Sequence, residues 1–329
     1  MQVSTVDDVT IHPAVERDSP SFRHTLLQLL VDSQNSDGGW GYHPSAQSAT
    51  EATAWALCAL NKPDENSAMQ QCAIRGKEWL IRSQLRDGAW PAFASQAEGC
   101  WATSLACLAL NEVADDSNAV ARGVDWLSQS WPRTPNFLQR LRQRLSPSSN
   151  ITRQNNSLCG WAWTANTSSW VEPTSYALIL MRRLPRERLS QLALKRRELA
   201  EAMLCDRMCP GGGWNSGNPL VYGVAGEPLV APTVWALLAL HDSEEKSQVR
   251  ESLRWLEKTL PEIRGSVSIA IAHMCLESYG QPVAALDSQL QLLFEADRFL
   301  GNIPVTALVA LALDSARKLF PRAQRVVQL

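Results

Sequence analysis

The sequence predicts an all-α chain folded as an (α/α)6 toroid: six helical hairpins set out as an outer and an inner ring. Three observations predict it. Apolar stretches come in pairs, an amphipathic one followed by one that is apolar nearly all round. The second member opens on one pattern: Thr53-Ala54-Trp55-Ala56-Leu57, Thr103-Ser104-Leu105-Ala106-Cys107, Thr174-Ser175-Tyr176-Ala177-Leu178, Thr233-Val234-Trp235-Ala236-Leu237 and Thr306-Ala307-Leu308-Val309-Ala310. Between the members stands a glycine turn closed by tryptophan, as in Asp37-Gly38-Gly39-Trp40, Asp87-Gly88-Ala89-Trp90 and Gly211-Gly212-Gly213-Trp214.

In chain order, the first pair covers 24–34 and 51–60. The second starts at Arg75-Gly76-Lys77-Glu78-Trp79-Leu80 and continues over 98–110. The third starts at Arg122 and resumes, after an insertion, with Cys159-Gly160-Trp161-Ala162-Trp163 and 172–184. The fourth covers 188–205 and 233–240, the fifth 252–256 and 268–276, the last 286–294 and 306–313. First members carry Arg, Glu, Gln and Lys among their apolar positions and belong outside; second members belong inside. Thr or Ser near the start suits a helix N-terminus. An open solenoid needs polar terminal caps. The last segment, 306–313, is as apolar as the middle ones, which favours a closed ring.

Residues 1–22 read as a tail interrupted by Asp7, Asp8, Glu16 and Asp18, and 23–329 as a single toroid domain in which 131–159 is inserted. With 45% hydrophobic and 19% charged residues, the 329-residue chain can bury a large core. A formal net charge of −2 argues against nucleic acid as a partner. No stretch approaches the ~18 consecutive apolar residues of a membrane span. The eight cysteines show no disulfide-scaffold spacing, so a reduced, cytoplasmic protein is expected.

The run from Arg75 to Trp90, with Gln84 between Ile81 and Asp87-Gly88, resembles the Gln-Trp repeat of squalene–hopene cyclases. Gly38-Gly39-Trp40 and Gly212-Gly213-Trp214, each followed by a Thr-x-Trp-Ala-Leu helix, resemble the same superfamily. It includes class II terpene cyclases and the β subunits of protein prenyltransferases. The resemblance covers roughly 24–318; it is specific for the toroid and not for the reaction. It implies a chain that binds, transfers or cyclises an isoprenoid or prenyl diphosphate in a central cavity. Two departures matter. The terpene-cyclase Asp-x-Asp-Asp acid is missing. Of the prenyltransferase zinc set, only Glu98-Gly99-Cys100-Trp101 has a counterpart, and no histidine stands before the next inner helix. No metal site and no cofactor is assigned.

Trp40, Trp79, Trp90, Trp126, Trp214 and Trp255 read as structural staples of the repeat, a use for about half of the thirteen tryptophans. Trp55, Trp101, Trp170, Tyr176 and Trp235 stand at or near inner-helix starts, where they would line a pocket or face a carbocation; core packing is the competing reading. Glu51, Glu98, Glu172 and Glu227 each precede an inner helix, so they are expected to gather at one mouth as candidate acids. A carboxylate that merely favours a helix dipole is the alternative.

The insertion carries a short basic amphipathic helix over 136–145, with Arg140 and Arg144 opposite Phe137, Leu138 and Leu141. Three readings stay open: a lid whose arginines meet a diphosphate, a peripheral membrane contact, or a solvated surface loop. Beside the isoprenoid class stands a second expectation, a non-catalytic toroid serving as scaffold or protein-partner module.

Overall fold

The computed structural model describes residues 21–61, 66–112, 117–133 and 154–314. The N-terminal tail and the insertion's predicted helix, with Arg140 and Arg144, lie outside the described residues. Five of the outer helices are α1 (Phe22–Asp32), α3 (Ser67–Ser83), α5 (Ser117–Gln129), α7 (Gln191–Asp206) and α9 (Ser247–Thr259). The sixth is α11 (Ala284–Asp297). The inner ones are α2 (Thr50–Leu60), α4 (Ala102–Glu112), α6 (Val171–Arg183), α8 (Val230–Ala239), α10 (Ser266–Ser278) and α12 (Ile303–Ala312). A two-stranded hairpin, β1 (Leu220–Val221) with β2 (Val224–Ala225), precedes α8.

The inner helices pack in sequence, α2 on α4 and so on to α12, and α12 returns to α2, so the ring closes. Each outer helix from α3 onward packs on the inner helix before it, and α1 completes the circuit on α12. At this seam Phe22 meets Phe294 with ring centroids 5.3 Å apart, and Arg23 pairs with Asp314. Closure follows from composition. In α8 and α12 nearly every side chain is buried, so each needs neighbours on all sides.

The repeat tryptophans hold the pairs together by hydrogen bonds as well as packing. Indole Nε1–H groups of Trp40, Trp90, Trp161 and Trp214 donate to carbonyls of Leu30, Leu80, Leu127 and Leu204, the last turns of the preceding outer helices. Their backbone N–H groups donate to Oγ1 of Thr53, Thr103, Thr174 and Thr233. That is why threonine recurs there. Gln34 and Gln84 each donate across the turn and to the next outer helix, at the carbonyls of Cys72 and Ala119. Gly38 and Gly88 have φ of 93° and 97°, and a Cβ there would strike the carbonyls of Arg75 and Arg122 at 2.8 and 2.5 Å.

A second set of bonds builds the mouth. Backbone N–H groups at inner-helix starts donate to the carbonyl two residues beyond the tryptophan of the next pair: Thr50 to Ala92, Trp101 to Trp163, Val171 to Ser216 and, across the seam, Ile303 to Tyr42. These bonds satisfy N-terminal donors that helix geometry leaves free. They also bring Tyr42 and Trp163 to the rim.

Candidate functional site

Counted from the shared threonine, five of the six inner helices, all but α10, carry two layers of residues a helical turn apart. Two residues before it stand Glu51, Trp101, Glu172, Ala231 and Pro304; two residues after it stand Trp55, Leu105, Tyr176, Trp235 and Leu308. The upper layer is the mouth and the lower one, a helical turn further in, its floor.

The floor is aromatic and closed. Trp55 of α2 stacks on Trp235 of α8, on the opposite side of the ring, with centroids 5.6 Å apart and planes at 22°. Tyr176 meets Trp235 edge-on at 5.0 Å, and Trp101 leans on Tyr176 at 5.8 Å. Trp163 meets Trp101 edge-on at 5.0 Å, which carries the aromatic chain up to the rim. Trp55, Tyr176 and Trp235 are buried, whereas Trp101 and Trp163 are half-buried.

Glu51 and Glu172 sit over this floor. The Tyr42 hydroxyl donates to Glu51 Oε2 at 2.6 Å, and Tyr42 packs edge-on against Phe93. Burial raises the Glu51 carboxyl above the ordinary glutamate range, and hydrogen bonds from Tyr42 and Trp55 only partly offset it. Burial also raises Glu172, and the charge of Glu51 adds to the rise, so the two acids feel one another. Burial, with the charges of Glu172 and Glu51 adding to it, holds the Tyr176 phenol well above its usual value. Burial also pushes up the Cys100 thiol at the start of α4, and the Glu51 charge adds to it. Among the described residues neither acid forms an ion pair, and no cationic group acts on either. The arrangement favours a neutral, protonated carboxyl at the mouth facing indole and phenol rings.

The expected ring of four acids is therefore a pair. Glu98 and Glu227 are exposed. Both lie in the loop before their helices, whereas Glu51 and Glu172 lie in the first turns of α2 and α6; the place of Glu51 in α4 belongs to Trp101, and in α8 to Ala231. Of the expected aromatics, Trp55, Tyr176 and Trp235 form the floor, and Trp101 leans on Tyr176 from the mouth layer. Trp170 stands apart at the N-cap of α6, its N–H bonded to the Trp161 carbonyl. Tyr42 and Trp163 went unread in the sequence. The signal that finds them is register: each lies two residues after a staple tryptophan, the position the rim bonds lift to the mouth. Trp161 is likewise a staple that the insertion hid.

No protein-family model matches the chain, and no curated protein does. Solved structures do. The type II terpene cyclase MstE from Scytonema, unliganded, superimposes with a TM-score of 0.58 at 14% identity over 90% of this chain and 97% of that one. A variant of MstE in complex with geranylgeranyl dihydroxybenzoate, its substrate, gives 0.57 at 14% identity over 90% and 97%. A protein from Actinoplanes gives 0.55 at 15% identity over 89% and 99%. At such identities the likeness is one of fold alone: the chain shares the all-α toroid architecture of these structures.

Proposed function

We propose that this chain binds an isoprenoid chain at the mouth of its ring and that Glu51 is the proton donor acting on it. The observation that carries the reading is Glu51 itself: a carboxyl raised by burial, fixed by Tyr42 and set over the Trp55, Tyr176 and Trp235 floor. MstE, a terpene cyclase of the same fold, holds a geranylgeranyl substrate in one of its structures, which supports the substrate class.

In the proposed step the alkene π pair of the prenyl chain takes the Glu51 proton. The O–H bond breaks as the C–H bond forms, and a tertiary carbocation is left. Tyr42 donates to the carboxylate so formed, and the aromatic faces beneath stabilise the cation by about 1–2 kcal/mol per ring. Loss of a neighbouring proton to the Glu172 carboxylate ends the step without an oxidant or reductant. The proton returns to Glu51 through solvent at the mouth. The Glu172 carboxylate, on which no cationic group acts among the described residues, repels a diphosphate, so the hydrocarbon end is the part presented to the mouth.

The test is incubation with farnesyl and geranylgeranyl diphosphate, and with the corresponding neutral prenyl alcohols, followed by product analysis and thermal shift. A cyclised or isomerised product that Glu51→Gln abolishes is expected. One observation favours the second reading, a non-catalytic scaffold or partner-binding toroid: the Trp55–Trp235 stack closes the ring below the mouth. Neither turnover nor thermal shift with any prenyl compound leaves the scaffold standing. Among the described residues no helix is long and apolar enough to cross a membrane. A peripheral membrane role for the insertion stays a proposal, tested by vesicle flotation.

A further inference from the structure

Only residues 298–302 join α11 to α12, where 33–49 join α1 to α2. This short connection has no room for a glycine turn and a staple tryptophan, and it reverses the chain differently. Arg298, Phe299 and Leu300 all take the left-handed conformation, with φ of 53°, 53° and 52°, and Gly301 follows at 71°. That conformation presses Cβ towards the following carbonyl oxygen, so residues with side chains visit it singly. Among the described residues no other consecutive non-glycine residues share it. Such a turn persists only where its surroundings hold it.

The holding contacts lie at the seam of the ring. Phe299 is buried, its ring 5.2 Å from Phe294, which in turn meets Phe22 of α1. The Arg298 guanidinium lies 4.7 Å from the Phe294 ring. Asp297 Oδ1 accepts the Phe299 N–H at 2.8 Å, and the Phe299 carbonyl accepts the Asn302 N–H at 2.9 Å. Leu300, by contrast, is 76% exposed. A Cβ on Gly301 would stand 3.7 Å from Pro44, so the turn rests on the loop that carries Tyr42. Directly after it, Ile303 N–H donates to the Tyr42 carbonyl at 3.0 Å, and the Tyr42 hydroxyl donates to Glu51.

We infer that residues 298–302 are a strained latch whose release opens the rim of the mouth between α2 and α12. In the latched state Phe299 is seated against Phe294 and Tyr42 is held on Glu51. When Phe299 leaves its seat the backbone relaxes out of the left-handed region and the Ile303–Tyr42 bond is lost. The Tyr42 loop then swings away from Glu51. The strain released on opening lowers its cost, so the rim opens without unfolding either helix. The latch belongs to the seam and stands whether or not a prenyl chain is the ligand.

The test is amide hydrogen exchange of the full chain, read by NMR without any prenyl compound. Ile303 is the first residue of α12, so its N–H has no partner within the helix and its protection reports the Tyr42 bond. Ile303 should exchange at least about tenfold faster than Val309 in the helix interior. Leu300→Val, whose branched Cβ disfavours the left-handed region, should speed Ile303 roughly tenfold, and Leu300→Asn, which tolerates that region, should slow it. Tyr42→Phe should also speed it, because the loop loses its hold on Glu51. Trp90→Phe, which weakens a staple far from the seam, should speed Val309 and leave Ile303 unchanged. Ile303 exchange that ignores both Leu300 variants or Tyr42→Phe, or that follows Val309 in Trp90→Phe, overturns the inference. Since no substrate is present, failure of the proton-donor reading is read separately.

Discussion

The Tyr42 hydroxyl lies 2.6 Å from Glu51 Oε2, and these two residues reach each other from opposite ends of one loop. Tyr42 follows the staple Trp40, and its carbonyl accepts the N–H of Ile303 across the seam. The same bond that closes the ring thus delivers the hydroxyl to the acid. Tyr42→Phe removes a donor that stabilises the carboxylate, so the Glu51 pKa rises further and the acid weakens. We expect turnover of a prenyl substrate to fall by about tenfold. The limb of the pH–rate profile where Glu51 deprotonates should move to higher pH. A rate loss with an unmoved limb would make Tyr42 a packing residue only.

The raised Glu51 carboxyl also sets the sign of a stability effect. The folded chain holds this proton more tightly than the unfolded chain does. Below the unfolded value of 4.5 the contribution is fully present, and it is lost as pH rises through the folded value. Above that window the buried charge costs stability. Glu51→Gln, whose amide oxygen still accepts from Tyr42, should therefore be more stable than the parent at pH 8, by roughly 1–2 kcal/mol. The gap should vanish by pH 4. Denaturant unfolding at both pH values measures it; a variant less stable at pH 8 contradicts the assignment.

Trp90 is fully buried, and its indole N–H satisfies the Leu80 carbonyl at 2.7 Å. Trp90→Phe keeps most of the apolar volume but leaves that carbonyl unpaired, at a cost of about 1–3 kcal/mol. Thr103→Val leaves the Trp90 N–H without its acceptor at 2.9 Å and should cost a similar amount. The two groups share one bonded unit, so the double variant should lose less than the sum. Urea midpoints with unchanged m-values are the measurement.

The staples were legible in the sequence because each is a local event, a Gln, a glycine turn and a Trp at fixed spacing, repeated. Closure was legible from the apolar character of 306–313. The mouth was only half legible. Glu51 and Glu172 share a register with Thr53 and Thr174, which is the signal the sequence carries for them. Glu98 and Glu227 also precede inner helices, but proximity to a helix start does not decide which way a side chain points. Counting from the threonine separates them. Tyr42 and Trp163 reach the rim through bonds between pairs far apart in the chain, and only their register, two residues after a staple tryptophan, marks them in the sequence.

The last prediction concerns the floor. Trp235 stacks on Trp55 and takes the edge of Tyr176, so three residues from three inner helices share one contact network. Trp235→Ala removes its centre and should cost about 3–5 kcal/mol, because rigid ring helices collapse little into the space. The void would be lined by Trp55, Tyr176 and aliphatic side chains of the lower layer, and an apolar void of this kind stays dry. A small apolar solute such as benzene should then raise the thermal midpoint of Trp235→Ala and leave the parent unmoved. If the mouth holds a prenyl chain, the same variant should gain affinity for geranylgeranyl over geranyl alcohol, because the tail can extend past the old floor. A variant that gains benzene binding without any change in chain-length preference would place the prenyl chain elsewhere. That result would favour the scaffold, in which the Trp55–Trp235 stack serves only to brace the ring.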